Sequence, residues 1–287
     1  MRSINESPRL ENKKLSKLVK SEQTETALVV DINDEFAAEA GLGTEATKDD
    51  LSIPFLNLLQ SLSPQVQESN PDGARAGMFY NTNTRALYTR PVVVPVHKER
   101  CFIEWVPRKE GGGFVAKYDV NDPVVVNALR ENKGSRIHLK LGENDLVETV
   151  NWAVLLLDPT GNEVEGFAVL GFTSTKLKPE KDWYTQMITT KDASKRPIFC
   201  YRSVLTSFLD KRKLGTNYNI RVEPFNGVWY DPSRQKADSL VLPSKHPNIY
   251  AAAKELREMF KSGAAEVDYN QSRGHDGNTG DDEVAPF

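Results

Sequence analysis

Between Gly77 and Thr175 the chain is a run of short apolar segments broken by turn signals, and this rhythm limits the fold more than any other feature. "GMFYNTNTRALY" predicts a hairpin around Asn81–Asn83. "RPVVVPVHKERCFIEWVPR" predicts a long bent ribbon. On it Arg100, Phe102, Glu104 and Val106 share one face and Cys101, Ile103, Trp105 and Pro107 the other, while Pro91 and Pro95 mark an edge or a bulge. The strand-like "GGGFVAKYDV", "RIHLKLG", "LVETVNWAVLLLD" and "EGFAVLGFTST" follow, interrupted by a helix-like insert, "DPVVVNALRENKG", and a "PTGN" turn. Roughly five to seven strands in about a hundred residues suit a closed or partly open barrel, with the oligonucleotide-binding (OB) barrel leading. The expected fold is mainly β with flanking helices (α+β), an OB-like β-barrel core between disordered acidic terminal segments.

The flanks are mixed. "DDLSIPFLNLLQSLSPQV" predicts an extended entry and a short buried helix ending before Pro64. "SKRPIFCYRSVLTSFLDKRKL" spaces Ile198, Tyr201, Val204, Leu205 and Phe208 like one helix face, with Lys211, Arg212 and Lys213 at its C-terminal end. "YNIRVEPFNGVWYD" reads as a hairpin-like pair. "PNIYAAAKELREMFKSG" predicts a helix with Pro247 in its first turn and Gly263 at its stop. Residues 1–49 are expected to be a mostly disordered acidic arm, 50–261 the folded body, and 262–287 a disordered acidic tail ending in Phe287.

Charge follows the same division. Residues 1–50 carry net −4, residues 51–261 net +6 and residues 262–287 net −5. A basic body between acidic ends points toward a nucleic-acid partner. The longest apolar runs, such as Trp152–Leu157, fall far short of the ~20 residues that cross a bilayer, and the N-terminus lacks an apolar signal region. Cys101 and Cys200 are the only cysteines, which fits small core hydrophobes in a reducing compartment; the expected location is the cytoplasm.

Sequence-tolerant capture of a single strand needs cations that follow phosphates and flat rings on which bases stack. Two segments interleave the two types most densely. The first offers Lys98, Arg100, Arg108, Lys109 and Lys117 among Phe102, Trp105, Phe114 and Tyr118. The second offers Lys176, Lys178, Lys181, Lys191, Lys195 and Arg196 among Phe172, Trp183 and Tyr184. Phe102, Trp105 and Phe172 read as core ahead of stacking platforms, because strand aromatics usually point inward. Trp183 and Tyr184, set among charges, lean toward function. Gly111–Gly113 precedes a strand rather than a helix, so it predicts a hairpin tip and not a phosphate cradle.

The terminal "GDDEVAPF" places Asp281, Asp282 and Glu283 ahead of Pro286 and Phe287, which suits either a compact docking peptide, with ring and carboxylate received together, or a solubilising acidic tail that ends in Phe. "DDEVAPF" is similar to the C-terminal tip of bacterial single-stranded DNA-binding proteins, though it has Glu283-Val284-Ala285 where they carry a longer acidic run and an isoleucine. From about Asp50 to Tyr250 the body resembles a group of bacteriophage single-stranded DNA-binding proteins, on "DLSIPFLNLLQSLSP", "VVVPVHKERCFIEWVPR" and "GFTSTKLKPEKDWYTQM". That resemblance implies an OB barrel, a setting in replication and recombination, and replication proteins such as polymerase, helicase or primase as tail partners.

Catalytic signatures are sparse. His97, His138, His246 and His275 are scattered, and His97 with Cys101 lacks the second pair that a zinc site needs. Asp158, Glu163 and Glu165 with Lys176 can be assembled into a metal-dependent nuclease, but two of the acids flank a predicted turn. The expectation is a non-enzymatic single-stranded DNA-binding protein that needs no cofactor, metal or membrane, with a homo-oligomer left open. The alternatives are a hub acting on host RNA polymerase and, behind it, the nuclease.

Overall fold

The alternating middle of the chain forms two fourteen-residue strands that lie antiparallel, Val92–Trp105 and Asn144–Leu157. The computed structural model describes residues 53–67, 73–212, 215–229, 238–263, 265, 267 and 269, so the arm expected over 1–49 and most of the tail lie outside the described residues. The strands are β1 (Leu56–Leu58), β2 (Phe79–Asn81), β3 (Leu87–Tyr88), β4 (Val92–Trp105), β5 (Phe114–Asp119), β6 (Lys140–Leu141), β7 (Asn144–Leu157), β8 (Val164–Thr173), β9 (Ser203–Arg212) and β10 (Gly215–Pro224). The helices are α1 (Pro64–Gln67), α2 (Pro123–Glu131), α3 (Leu177–Thr189) and α4 (Pro247–Ser262). The fold is therefore mainly β with several helices. No helix among the described residues is long and apolar enough to cross a membrane.

One edge of β4 is shared: Val92 and Val93 pair with β9, and Cys101 through Trp105 with β5. Its other edge runs along β7, which carries β6 at one end and β8 at the other. The larger sheet thus has the order β10-β9-β4-β7-β6, with β5 and β8 attached at the sides, while β1, β2 and β3 form a second, small sheet. The first long ribbon alternates as its sequence predicts: Cys101, Ile103 and Trp105 share one cluster, and Phe102 packs in another beneath α2. Pro95 marks a bulge, not an edge, since the register of the central strand β4 slips between Pro95 and His97, while Pro91 lies just before that strand begins.

The expected barrel does not form, because the sheets do not close. The segment from Phe55 to Gln60 spans the gap between β8 and β10, but it meets β8 through one parallel bridge, Phe55 to Val169. On the other side the Gln60 side chain bonds β10 in place of a strand ladder, accepting from the Tyr218 N–H at 2.8 Å and donating to the Tyr218 carbonyl at 3.1 Å. Pro54 has no N–H to extend a ladder, and a turn at Ser61 and Leu62 ends this stretch.

Three local expectations also fail. Residues Ile53–Leu59 form an extended entry and β1 rather than a buried helix, and the apolar spacing from Ile198 to Phe208 leads into β9 rather than a helix. Val204 and Leu205 enter clusters on opposite sides of the sheet, which a helix face cannot do. "YNIRVEPFNGVWYD" supplies the single strand β10 and a short 3-10 turn, and the partner of β10 is β9. By contrast α4 begins at Pro247 and stops at Gly263, whose φ of 73° suits a residue without a Cβ.

The main core lies on one face of β7. Val150, Trp152, Val154 and Leu156 pack with Leu56, Leu58, Phe79, Leu205 and Ile220, and α3 covers them with Trp183 and Met187. Leu155 and Leu157 point the other way, against Ile249, Ala253 and Leu256 of α4.

Candidate nucleic-acid interface

The bulge at Pro95/His97 decides what β4 shows to α3. Beyond it His97 stacks on Phe260 of α4 (5.8 Å between ring centroids), so Lys98 and Arg100 project from the opposite face, beside Trp152 and Val150 of β7. α3 lies across this face. Leu177, Glu180, Trp183, Tyr184 and Met187 follow helical spacing, and Glu180, Trp183 and Met187 are buried. Two adjoining clefts, of about 510 and 480 Å³, run where α3 meets the strands. They share Lys98, Arg100, Tyr184 and Ile188. Arg136, Glu148, Glu180 and Lys181 continue the first cleft; Arg196, Ile198 and Tyr201 continue the second.

Five cationic side chains thus line the trough against two carboxylates. Glu148 is almost buried, and one of its oxygens receives both Arg100 Nη1, at 3.3 Å, and Arg136 Nη1. Arg136 also lies over the Phe102 ring at 5.9 Å. Both guanidiniums keep 42% and 48% of their side-chain surface exposed, which leaves other N–H groups facing the cleft. Glu180 is buried and takes Lys98 Nζ at 2.6 Å and the Trp152 indole N–H at 3.1 Å on Oε1. The same ammonium sits 4.0 Å from the centroid of the Tyr184 ring. Tyr184 is half-buried, and Ile188, one turn on, is 49% exposed.

Of the residues selected on sequence, the trough gathers Lys98, Arg100, Lys181, Tyr184 and Arg196. It does not gather the rest. Trp183, expected to be functional, is 1% exposed, donates its indole N–H to Ser203 Oγ and packs on Trp152 and Phe172; it is core. Trp105 is likewise buried, edge-on to Phe114, and Phe102 and Phe172 are buried. Phe114 lies on the far face, stacked on Tyr269 at 5.3 Å, where Lys117 also pairs with Glu99 at 2.5 Å. Tyr118 donates to Glu104 Oε2 at 2.7 Å, and that bond together with burial pushes its hydroxyl up to about 12. Lys109 is exposed near the Gly111–Gly113 tip, while the Arg108 side chain lies outside the described residues. Lys178 is exposed and paired with Asp182 at 2.6 Å. Lys176 is half-buried as a residue, but loss of hydration pulls its ammonium down to about 8. Asp281, Asp282, Glu283, Pro286 and Phe287 lie outside the described residues.

Sequence reasoning missed Arg136, Glu148, Glu180 and Ile188. Arg136 sits in the irregular link between α2 and β6 with no aromatic side chain beside it in sequence, and the two glutamates have no local signal for burial. The nuclease set does not assemble around Asp158. Burial raises the pKa of this carboxyl, but the Thr160 hydroxyl and the N–H groups of Glu163, Asn162 and Thr160 outweigh it and hold the group at about 2. Those bonds tie it to its own turn. Among the described residues no three His, Cys, Asp or Glu side chains gather as a metal-holding group.

No curated protein and no solved structure matches the chain. Residues 23–266 match the profile of the Pam3 phage gp34-like proteins, and the chain, a phage protein, belongs to that family.

Proposed function

We propose that this protein binds single-stranded DNA without sequence preference and without catalysing a reaction, during phage replication or recombination in the host cytoplasm. The observation that carries this reading is the trough under α3, where cations at either end flank the half-buried ring of Tyr184. Cations spaced along a groove follow a phosphate chain, and a ring among them offers a face to an unstacked base. In a duplex the base faces are occupied by their neighbours, so Tyr184 selects the single strand. The acidic tail, with Phe287 at its tip, recruits replication proteins by seating the ring in an apolar pocket and its charges on basic residues.

Fluorescence anisotropy of a labelled oligo(dT) and of a matched duplex, titrated with the full chain at low and moderate salt, tests the reading. Tight, salt-sensitive binding of the single strand alone is expected. Equal affinity for the duplex, or no binding of either at low salt, overturns it. Deletion of Phe287 is expected to leave oligo(dT) affinity intact while abolishing association with purified replication proteins.

A further inference from the structure

Lys98 looks at first like a phosphate contact, since it is a cation in a groove. Its surroundings assign it elsewhere. Its ammonium lies 2.6 Å from Oε1 of Glu180, a carboxylate whose side chain is 1% exposed. Among the described residues the second oxygen of Glu180 has no hydrogen-bond partner, and the one other group on Oε1 is the Trp152 indole N–H. A buried carboxylate with one cationic neighbour holds that neighbour firmly, because its departure leaves the charge uncompensated. The ammonium held in this way is also 4.0 Å from the Tyr184 ring centroid and 5.5 Å from that of Trp152. It is 24% exposed, well below Arg100 and Arg136.

We infer that Glu180 and Lys98 are positioning residues for Tyr184: Glu180 fixes the ammonium, and the ammonium fixes one face of the ring so that the other receives a base. This rests on the single-stranded DNA reading above and divides the labour within it. Arg100, Arg136 and Lys181 meet phosphates, and Lys98 acts through stacking. Tyr184 is joined to α3, Glu180 lies one turn before it on the same helix, and Lys98 comes from β4, so the trio also locks α3 to the sheet at the point where the two clefts meet.

The test uses the full chain, anisotropy of labelled oligo(dT), and an oligomer of equal length with abasic sites. Lys98→Met combined with Glu180→Gln removes both charges without stranding either. This double variant is expected to lose roughly three- to tenfold in oligo(dT) affinity, the range of a partly desolvated cation–π contact. Its log–log salt slope should be unchanged, it should lose nothing on the abasic oligomer, and it should add nothing to the loss from Tyr184→Ala. A slope shallower by about 0.7, the value for one lost phosphate contact on a single strand, overturns the inference, as does an equal loss on the abasic oligomer. Should the double variant fail to fold, Glu180→Gln alone decides. Freeing Lys98 weakens oligo(dT) binding if the ammonium serves the ring, and tightens it with a steeper slope if it serves phosphate. Failure of the unaltered chain to bind oligo(dT) removes the functional reading itself, whereas normal binding with wrong variant behaviour removes only this division of labour.

Discussion

Trp152 of β7 and Trp183 of α3 pack with ring centroids 4.9 Å apart, and each spends its indole N–H on a buried oxygen, Glu180 Oε1 for the first and Ser203 Oγ for the second. The pair is what seats α3 on the sheet. Trp183→Ala removes the larger part of this contact from a fully buried site, so we expect a loss of about 3–5 kcal/mol in unfolding free energy. Chemical denaturation checks it. A loss under about 1 kcal/mol is the outcome that contradicts a core role.

One side chain ties the entry segment to β10. Gln60 pairs with both the N–H and the carbonyl of Tyr218, as a neighbouring strand would, and Gly77 packs so close that a Cβ there would stand 2.6 Å from the Tyr218 ring. Gln60→Ala strands two partly buried backbone groups and is expected to cost about 1–3 kcal/mol. Gly77→Ala is expected to cost more, because its φ of 90° and the ring contact both oppose a side chain. Amide exchange at Tyr218 should accelerate in either variant; an unchanged rate would mean that β10 is held without this contact.

These contacts explain where sequence and structure part. The hairpin at Asn81–Asn83, α2, α4 and the β7–β8 turn were legible because each depends on residues close in sequence. The arrangement of the two sheets was not. It depends on Gln60 meeting Tyr218 and Phe55 meeting Val169, pairings more than a hundred residues apart with no local signature. Trp183 was misread because the inward stripe of α3 includes Glu180, and a buried acid breaks the apolar period by which a helix is recognised. The site was half legible for a similar reason. Composition picked out Arg100, Lys181 and Tyr184, but the face taken by Lys98 depends on the β4 bulge, and Arg136 is held at the trough by Glu148 and the Phe102 ring, neither of them near it in sequence.

Arg100 and Arg136 share one oxygen of Glu148, so under the proposed function the carboxylate competes with phosphate for both guanidiniums. Arg100→Gln and Arg136→Gln should each make the salt slope for oligo(dT) shallower by about 0.7. Glu148→Gln acts in the opposite direction, raising affinity at low salt severalfold by removing the competing anion. If Glu148→Gln weakens binding while the fold is intact, the carboxylate holds the arginines in place for phosphate and does not compete with it.

Alkaline pH should destabilise the fold, and the sign follows from burial. Loss of hydration raises the Cys101 and Cys200 thiols from about 9 to about 11 and pushes the Tyr269 hydroxyl upward too, so the native state keeps protons that the unfolded chain releases first. The stability tied to the thiols is full below about pH 9 and is lost as pH rises through 11. Lys176 works against this: its ammonium is depressed to about 8 from an ordinary 10.5, so its penalty is relieved over that interval. Three buried acids against one ammonium leave a net decline above pH 9. Urea midpoints at pH 7, 9 and 10.5 should fall over the last step, and Cys200→Ala should flatten that fall. A midpoint that holds steady from pH 9 to 10.5 would mean that the thiols and the Tyr269 hydroxyl are not buried as described.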